Sequence, residues 1–320
     1  MEYFRQRDTN VQVRIDRVMK DLPEFCKHFT LYCNAKLTKL TACGYLYEIR
    51  KFLQFMGERR NAEYMNFTTI DLNSVTTLDV ESWLSTCIGI VGDASINRKY
   101  SSVRTFLEFY FTRKFISQNV ADVILLPKVT EKPITRLTLK EVGRLLNAVD
   151  EAGHRHALRD KTILIFFLST GVRASELVGL DIKHVDIENA SFTVRRKGGK
   201  IEKLYMTEEL QIQLMYYMDS IDTSNEDAPF FPSEDNPRLA YNSVRLLLCK
   251  YIELAGIEKR ITPHKLRSTF GTNLYRKTRD IFAVAQCLGN SSVNTTRKHY
   301  AALDEDIKRE AVRGYSMTAA

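Results

Sequence analysis

The 320-residue chain is 44% hydrophobic and 27% charged, with seven Pro and fourteen Gly, which suits two domains with separate cores and excludes collagen-like or broadly disordered classes. No run of eighteen apolar residues occurs, patches such as Ile163–Leu168 being far shorter, and MEYFRQRDTN carries no apolar signal segment, so neither membrane insertion nor secretion is expected. The 47 Lys and Arg exceed the 39 Asp and Glu by a net +8, split at residue 126 into 17 basic and 14 acidic before it and 30 and 25 after, a spread excess that permits a nucleic-acid partner without requiring one.

Residues 1–126 read as a helical domain. In TACGYLYEIRKFLQFM, Leu46, Ile49, Leu53 and Met56 recur at three- and four-residue spacing, the mark of an amphipathic helix. A second helix runs through INRKYSSVRTFLEFYFTRK, with Ile96, Tyr100, Val103, Leu107 and Tyr110 on one face and Arg98, Lys99 and Arg104 as a basic edge. Each of these three charges reads either as a solvated rim or as a DNA contact. About twenty-five residues precede this helical domain proper, well below a normal domain size. Trp83 and the Phe and Tyr residues read as core.

Residues 127–137, with two prolines and no periodicity, predict an extended linker. A second domain over 138–320 opens with a capping box, Thr138 and Glu141, ahead of Val142, Leu145 and Leu146. His154-Arg155-His156 predicts an exposed loop, and ALRDKTILIFFLS a buried helix stopped by Thr170-Gly171. A short helix, RASELVGL, precedes SFTVRRKGGKIEKLYM, a hairpin with Phe192 and Val194 on one arm, Gly198-Gly199 at the turn, and Lys197 and Lys200 beside it. Helices follow in RLAYNSVRLLLCKYIELAG, in TPHKLRSTFGTNLYRKT, in a segment ending at Leu288-Gly289 and in one carrying Tyr300. The fold class is therefore mainly α with a small β-sheet, a helical domain joined to an α+β domain. The six cysteines, Cys26, Cys33, Cys43, Cys87, Cys249 and Cys287, form no CxxC pair and mostly have apolar neighbours, as expected of reduced core thiols in a cytoplasmic protein.

Four separated segments carry chemistry. Thr262 suits an N-cap and Pro263 the first helical position, so His264 and Arg267 project from a helix start on one face, with Leu266, Phe270 and Leu274 turned to a core. That pairing makes an anion site, since free N–H groups and the helix dipole add to the side-chain charge. Arg173 follows Gly171 closely, and Glu176 three residues on either forms an ordinary helix salt bridge or braces a functional Arg. Lys197 sits at the hairpin tip. Asn290 lies ten residues before Tyr300. Two Arg, a His, a Lys and a late Tyr fit metal-free phosphoryl transfer: each guanidinium can bond two non-bridging oxygens and offset transition-state charge. A phenol must lose its proton as it attacks, and Lys197 would protonate the departing 5′ oxygen. No metal-ligand spacing stands in the sequence, so neither metal nor other cofactor is expected.

TGVRASELVGL, RRKGGKIEKL, PHKLRSTFGT and LGNSSVNTTRKHY, in that order and with Lys197 twenty-four residues after Arg173, resemble the tyrosine recombinase (phage integrase) family in its simple, Xer-type form. The first domain resembles the family's SAM-like core-binding domain, notably in INRKYSSVRTFLEFYFTRKFISQN, so the similarity spans roughly Leu31 to Leu303. With so few residues before that domain, the simple kind of member that binds core sites only is expected. The resemblance implies that Arg173 and Arg267 bind the scissile phosphate, that Lys197 is the general acid, that His264 is the family's first His, that Glu176 orients Arg173, and that Tyr300 forms a 3′-phosphotyrosyl link. Asn290 stands where the family usually has His or Trp; it can donate a hydrogen bond but carries no proton for acid–base work. His299 directly precedes Tyr300, and Ser268 replaces a frequent His.

The function implied is site-specific exchange of DNA strands by a two-domain clamp on duplex DNA, through a four-way junction. Arg98, Lys99, Arg104 and Lys200 are the candidate DNA contacts outside the active site. A homo-tetramer, or a hetero-tetramer with a paralogue, is implied, coupled by a C-terminal tail in which Ile307, Ala311 and Val312 recur at helical spacing. Alternative readings are a topoisomerase IB-like or hairpin-telomere-resolving enzyme, and a catalytically impaired DNA-binding regulator.

Overall fold

The computed structural model describes residues 2–126, 135–234 and 237–290, together with 293 and 312. The chain divides into two compact units, Met1–Glu131 and Lys132–Ala320. Most of the expected 127–137 linker lies outside the described residues. The result is a mainly helical chain with one three-stranded sheet, as expected. Among the described residues, no helix is long and apolar enough to cross a membrane.

The first unit comprises α1 (Glu2–Met19), α2 (Cys26–Lys36), α3 (Lys39–Arg60), α4 (Thr69–Asn73), α5 (Thr77–Ser85) and α6 (Asp93–Thr112). α3 is central, packing on α1, α2, α5 and α6. Its Leu46, Ile49, Leu53 and Met56 are buried, as are Ile96, Tyr100, Val103, Leu107 and Tyr110 of α6 and the ring of Trp83. α1 corrects the sequence reading of the first residues. Val11, Ile15 and Val18, with Phe4 nearer the helix start, form a narrow buried stripe on a largely polar helix, so this segment is part of the domain's core. Two capping boxes, Thr68 with Asp71 and Thr76 with Asp79, start α4 and α5.

The second unit opens with α7 (Leu139–Ala152) and α8 (Ala157–Thr170). The Thr138–Glu141 box forms as expected, with Thr138 N donating to Glu141 Oε2 at 2.7 Å. α9 (Ala174–Leu177) leads to β1 (Val185–Asp186), β2 (Ser191–Arg195) and β3 (Ile201–Tyr205), an antiparallel sheet in that order, with Phe192 opposite Leu204 and Arg195 opposite Ile201. β1 was not expected; two residues give no alternation to read. α10 (Glu208–Asp219), α11 (Tyr241–Leu254), α12 (Pro263–Thr278) and α13 (Ile281–Leu288) complete the described elements. α10 was also unexpected. α8 is the pillar, packed by α7, α10 and α12.

Two further expectations are corrected in part. The 154–156 segment is a loop before α8 with Arg155 exposed, as expected, but its two histidines are half-buried and tied down: His154 Nε2 lies 2.6 Å from Tyr251 Oη, which donates to buried Asp160 at 3.0 Å, and His156 Nε2 lies 2.5 Å from Glu234 Oε1. Of the six free thiols only Cys26, Cys33 and Cys43 are buried, whereas Cys249 and Cys287 are exposed. Burial pushes the Cys33 thiol up to about 12.

Lys99, on α6, is held in the first unit's interior, its ammonium 2.5 Å from Glu48 Oε2 with both side chains 11% exposed. Lys99→Met therefore costs about 3 kcal/mol in urea denaturation by leaving a largely buried carboxylate with only the more distant, half-exposed Lys51 at 3.7 Å, and the double variant Glu48→Leu/Lys99→Met recovers most of it. In the second unit, the Lys259 ammonium 2.8 Å from Glu141, helped by the Thr138 N–H, lowers the Glu141 carboxyl from its ordinary 4.5 to about 2. A depressed folded-state value adds stability above the unfolded value and loses it as pH falls. The stability advantage of the wild type over Glu141→Gln should hold at neutral pH and shrink on acidification from 4.5 towards 2, followed by urea titrations across that range.

Candidate active site

The site begins where α8 stops. Gly171 takes the left-handed conformation at φ +61°, and a Cβ there would lie 2.4 Å from Phe270 Cδ1 and 2.9 Å from Leu288 Cδ2. Only glycine meets both conditions, so the chain turns tightly between α12 and α13 and delivers Arg173 to the start of α9. There Arg173 N donates to Glu176 Oε2 at 2.8 Å and Arg173 Nη1 to Glu176 Oε1 at 2.7 Å. The expected i,i+3 pair thus exists, with Glu176 buried and Arg173 half-buried.

The sheet supplies a third charge. On β2, Phe192 and Val194 face inward, Phe192 meeting the Phe166 ring of α8 at 4.8 Å between centroids. Strand alternation continues this face to Arg196, which is 6% exposed. Its guanidinium donates to Glu176 Oε2 at 2.9 Å, to Glu202 Oε2 at 3.2 Å and to the Cys287 carbonyl at 3.1 Å. The 196–200 turn is closed by Arg196 N donating to Lys200 O at 2.7 Å, with Gly198 and Gly199 at φ +82° and +85°. The expected glycine turn is therefore present, and Lys197 occupies it directly after Arg196. The Lys197 side chain lies outside what the structure describes, and Lys200 is exposed.

α12 starts as read from Thr262 and Pro263, although the Thr262 hydroxyl accepts no capping bond. Its expected faces are corrected. Pro263, Leu266, Arg267, Ser268, Thr269, Gly271 and Thr272 are all buried, because α12 packs against α8, α11 and α13. Arg267 is thus an interior residue, whereas His264, one turn earlier, is exposed. Arg267 Nη1 donates to Gly171 O at 2.7 Å, and Nη2 donates to Leu288 O and, at 3.1 Å, to Asn290 Oδ1. Ser268 Oγ bonds back to His264 O at 3.1 Å.

α13 ends at Gly289, left-handed at φ +58°, and Asn290 N closes the turn onto Ala285 O at 3.0 Å. Arg173 Nη2 reaches Gly289 O at 3.4 Å. The structure therefore brings Arg173, Glu176, Arg267 and Asn290 together around one turn, 288–290, with Arg196 beneath it. Two guanidinium groups converging on one turn form an arrangement suited to an oxyanion with several oxygens to share. Arg196 was missed in the sequence, and the signal for it was the alternation Phe192, Val194, Arg196. Tyr300, Ile307 and Ala311 lie outside the described residues; Val312 is exposed. In the first unit Arg98 is exposed, Arg104 pairs with Asp122 at 2.8 Å, and Lys99 is committed to Glu48.

Sequence and structure comparisons agree on what this arrangement resembles. A family model described as the phage integrase family matches residues 135–306, more than half of the chain. Tyrosine recombinase XerC of Pelobacter propionicus is 27% identical over 293 residues, covering 89% of this chain and 93% of that protein. In three dimensions the chain is similar to the XerH site-specific recombinase bound to its difH substrate, with a TM-score of 0.67, 20% identity and coverage of 87% and 81%. A lambda integrase dimer bound to a COC′ core site gives a TM-score of 0.66, 16% identity and coverage of 96% and 83%. The order of arginine turn, glycine hairpin, buried helix and closing turn, together with the family match across them, means that the chain belongs to the phage integrase family of tyrosine site-specific recombinases.

Proposed function

We propose that this recombinase cleaves and rejoins duplex DNA with Tyr300 as nucleophile, Arg173 and Arg267 on the scissile phosphate, and Lys197 as the acid for the departing 5′ oxygen. One observation carries the reading. Arg173 and Arg267, far apart in sequence, both bond to the 288–290 turn, the segment that leads towards Tyr300. A phosphodiester seated there meets two guanidinium groups whose positions are fixed before it arrives, the preorganisation that stabilises charge building on phosphorus. Asn290 contributes an amide to a non-bridging oxygen, and exposed His264 stands one turn from Arg267.

In the reaction the Tyr300 oxygen bonds to phosphorus as the bond to the 5′ oxygen breaks; the phenol gives up its proton and Lys197 supplies one to the leaving group. The covalent link keeps the energy of the broken bond, so rejoining by a partner strand's 5′ hydroxyl needs no ATP. Exchange between two duplexes calls for four protomers and a four-way junction, with the tail after Tyr300 docking on a neighbour. XerH bound to a difH substrate and lambda integrase bound to a COC′ core site, in the structures this chain resembles, support DNA as the partner. Of the candidate contacts in the first unit, exposed Arg98 is the best placed for a phosphate and Lys99 the worst.

The test starts from a site enriched out of a random duplex library and nicked beside the scissile phosphate. Full-length protein should form a denaturation-resistant adduct in the presence of a chelator, and Tyr300→Phe should form none. Arg173→Ala and Arg267→Ala should each slow adduct formation on the order of 10²- to 10³-fold. DNA affinity in all variants should fall steeply with salt. Binding with no adduct from the wild type would leave a DNA-binding regulator, and relaxation of supercoiled DNA without exchange between two labelled sites would leave a topoisomerase.

A further inference from the structure

The function above does not use Arg196, a buried charge in the candidate site. Its guanidinium joins three separate segments: Glu176 on α9, Glu202 on the second arm of the hairpin, and the Cys287 carbonyl at the end of α13. The fit is close. A Cβ on Gly289 would lie 2.6 Å from both Cζ and Nε of Arg196, so the 289 backbone can rest on the guanidinium only because the residue there is glycine. Arg196 also immediately precedes Lys197, and its own N–H closes the turn in which Lys197 sits. A hairpin tip with three exposed residues, Gly198, Gly199 and Lys200, has little packing of its own to fix it. At its base, next to the Arg195–Ile201 pair of the sheet, the side chain that ties it to the rest of the site is Arg196, locked by a fork of bonds that point in fixed directions.

We propose that Arg196 is a positioning residue for the general acid. It fixes the turn carrying Lys197 against the same carboxylate that holds Arg173, so that the acid and the phosphate-binding guanidinium keep one geometry. This rests on the reading that Lys197 protonates the 5′ oxygen. In that step the Tyr300 oxygen–phosphorus bond forms, the phosphorus–O5′ bond breaks, the Lys197 ammonium gives its proton to O5′ and becomes an amine, and the phenol proton passes to water. Arg196 has its guanidinium on Glu176, Glu202 and the Cys287 carbonyl and takes no part in that step. It acts by holding Lys197 within reach, and precise placement of an acid is worth as much as its presence.

The experiment compares two nicked duplexes of the same sequence, one with oxygen and one with sulfur bridging phosphorus to the 5′ carbon. A thiolate leaves without protonation, so the sulfur duplex bypasses the acid. Arg196→Met should lower adduct formation on the oxygen duplex by about 10²-fold and recover on the sulfur duplex, as Lys197→Ala does, while Arg173→Ala recovers on neither. Arg196→Lys, which keeps a cation beside Glu176 but lacks the fork, should show a smaller loss with the same recovery, and serves if Arg196→Met does not fold. Equal losses on both duplexes would overturn the proposal in favour of a purely structural or phosphate-site role, and no loss on the oxygen duplex would overturn it outright. Failure of Lys197→Ala itself to recover on sulfur would remove the acid assignment on which the proposal stands, and marks that reading as the fault.

Discussion

The candidate site is organised around one carboxylate. Glu176 is 3% exposed and receives the Arg173 N–H, the Arg173 guanidinium and the Arg196 guanidinium. A buried carboxylate is tolerable only when opposite charge and hydrogen bonds replace the water it has lost, and here two cations do so from different directions. The bonds also fix relative positions. One guanidinium belongs to the turn after α8 and the other to the base of the β2–β3 hairpin, so a single carboxylate ties together two elements that also pack through Phe166 and Phe192. Replacing such a cluster with apolar residues would preserve stability but would not preserve this geometry, which is why a recombinase can benefit from an arrangement that adds little to folding.

Two glycines let the rest of the site close on that cluster. At Gly171 and Gly289 the left-handed backbone coincides with a neighbour too near for any Cβ: Phe270 and Leu288 in the first case, Arg196 in the second. The α8–α9 turn and the α13 terminus thereby come close enough for Arg267, rising between them on α12, to donate to Gly171 O on one side and to Leu288 O on the other. Local conformational freedom is converted into a long-range contact between segments over a hundred residues apart.

What the sequence disclosed followed from the range of the interactions involved. The stripes of α3 and α6, the Thr138–Glu141 box, the Gly198-Gly199 turn and the Arg173–Glu176 pair are all set within a few residues, and each is present. α1 escaped notice because four buried positions, Phe4, Val11, Ile15 and Val18, among charged neighbours make a stripe too thin to read without the core they face. The faces of α12 were misjudged for the opposite reason. A helix surrounded by three others buries polar residues such as Arg267, Ser268 and Thr272 all round, and its sequence then shows no clean amphipathic split. The basic edge of α6 was judged on charge alone. Lys99 faces Glu48, 51 residues earlier, and no local pattern reports a partner at that distance.

The same distinction between exposed and interior cations separates the roles of the arginines. Arg196 has its fork filled by protein oxygens from three elements, and an anion could take one of those places only by dismantling the contact that holds the hairpin. Arg173 keeps its side chain 35% exposed while Glu176 holds Nη1. It can therefore meet a phosphate oxygen without giving up its brace. Arg267 is as deeply buried as Arg196, but its Nη2, besides donating to Leu288 O, donates at 3.1 Å to the Asn290 amide oxygen, a neutral side-chain acceptor. On the proposed reading a phosphate oxygen takes over from that amide, since a charged acceptor outbids a neutral one for the same guanidinium. The displaced amide can then rotate its NH₂ towards the phosphate, turning a competitor into a donor. An Asn at 290 thus fits a phosphate site without a titratable proton, provided that the proton for the leaving group comes from elsewhere, and the hairpin anchored by Arg196 is where the chain offers one.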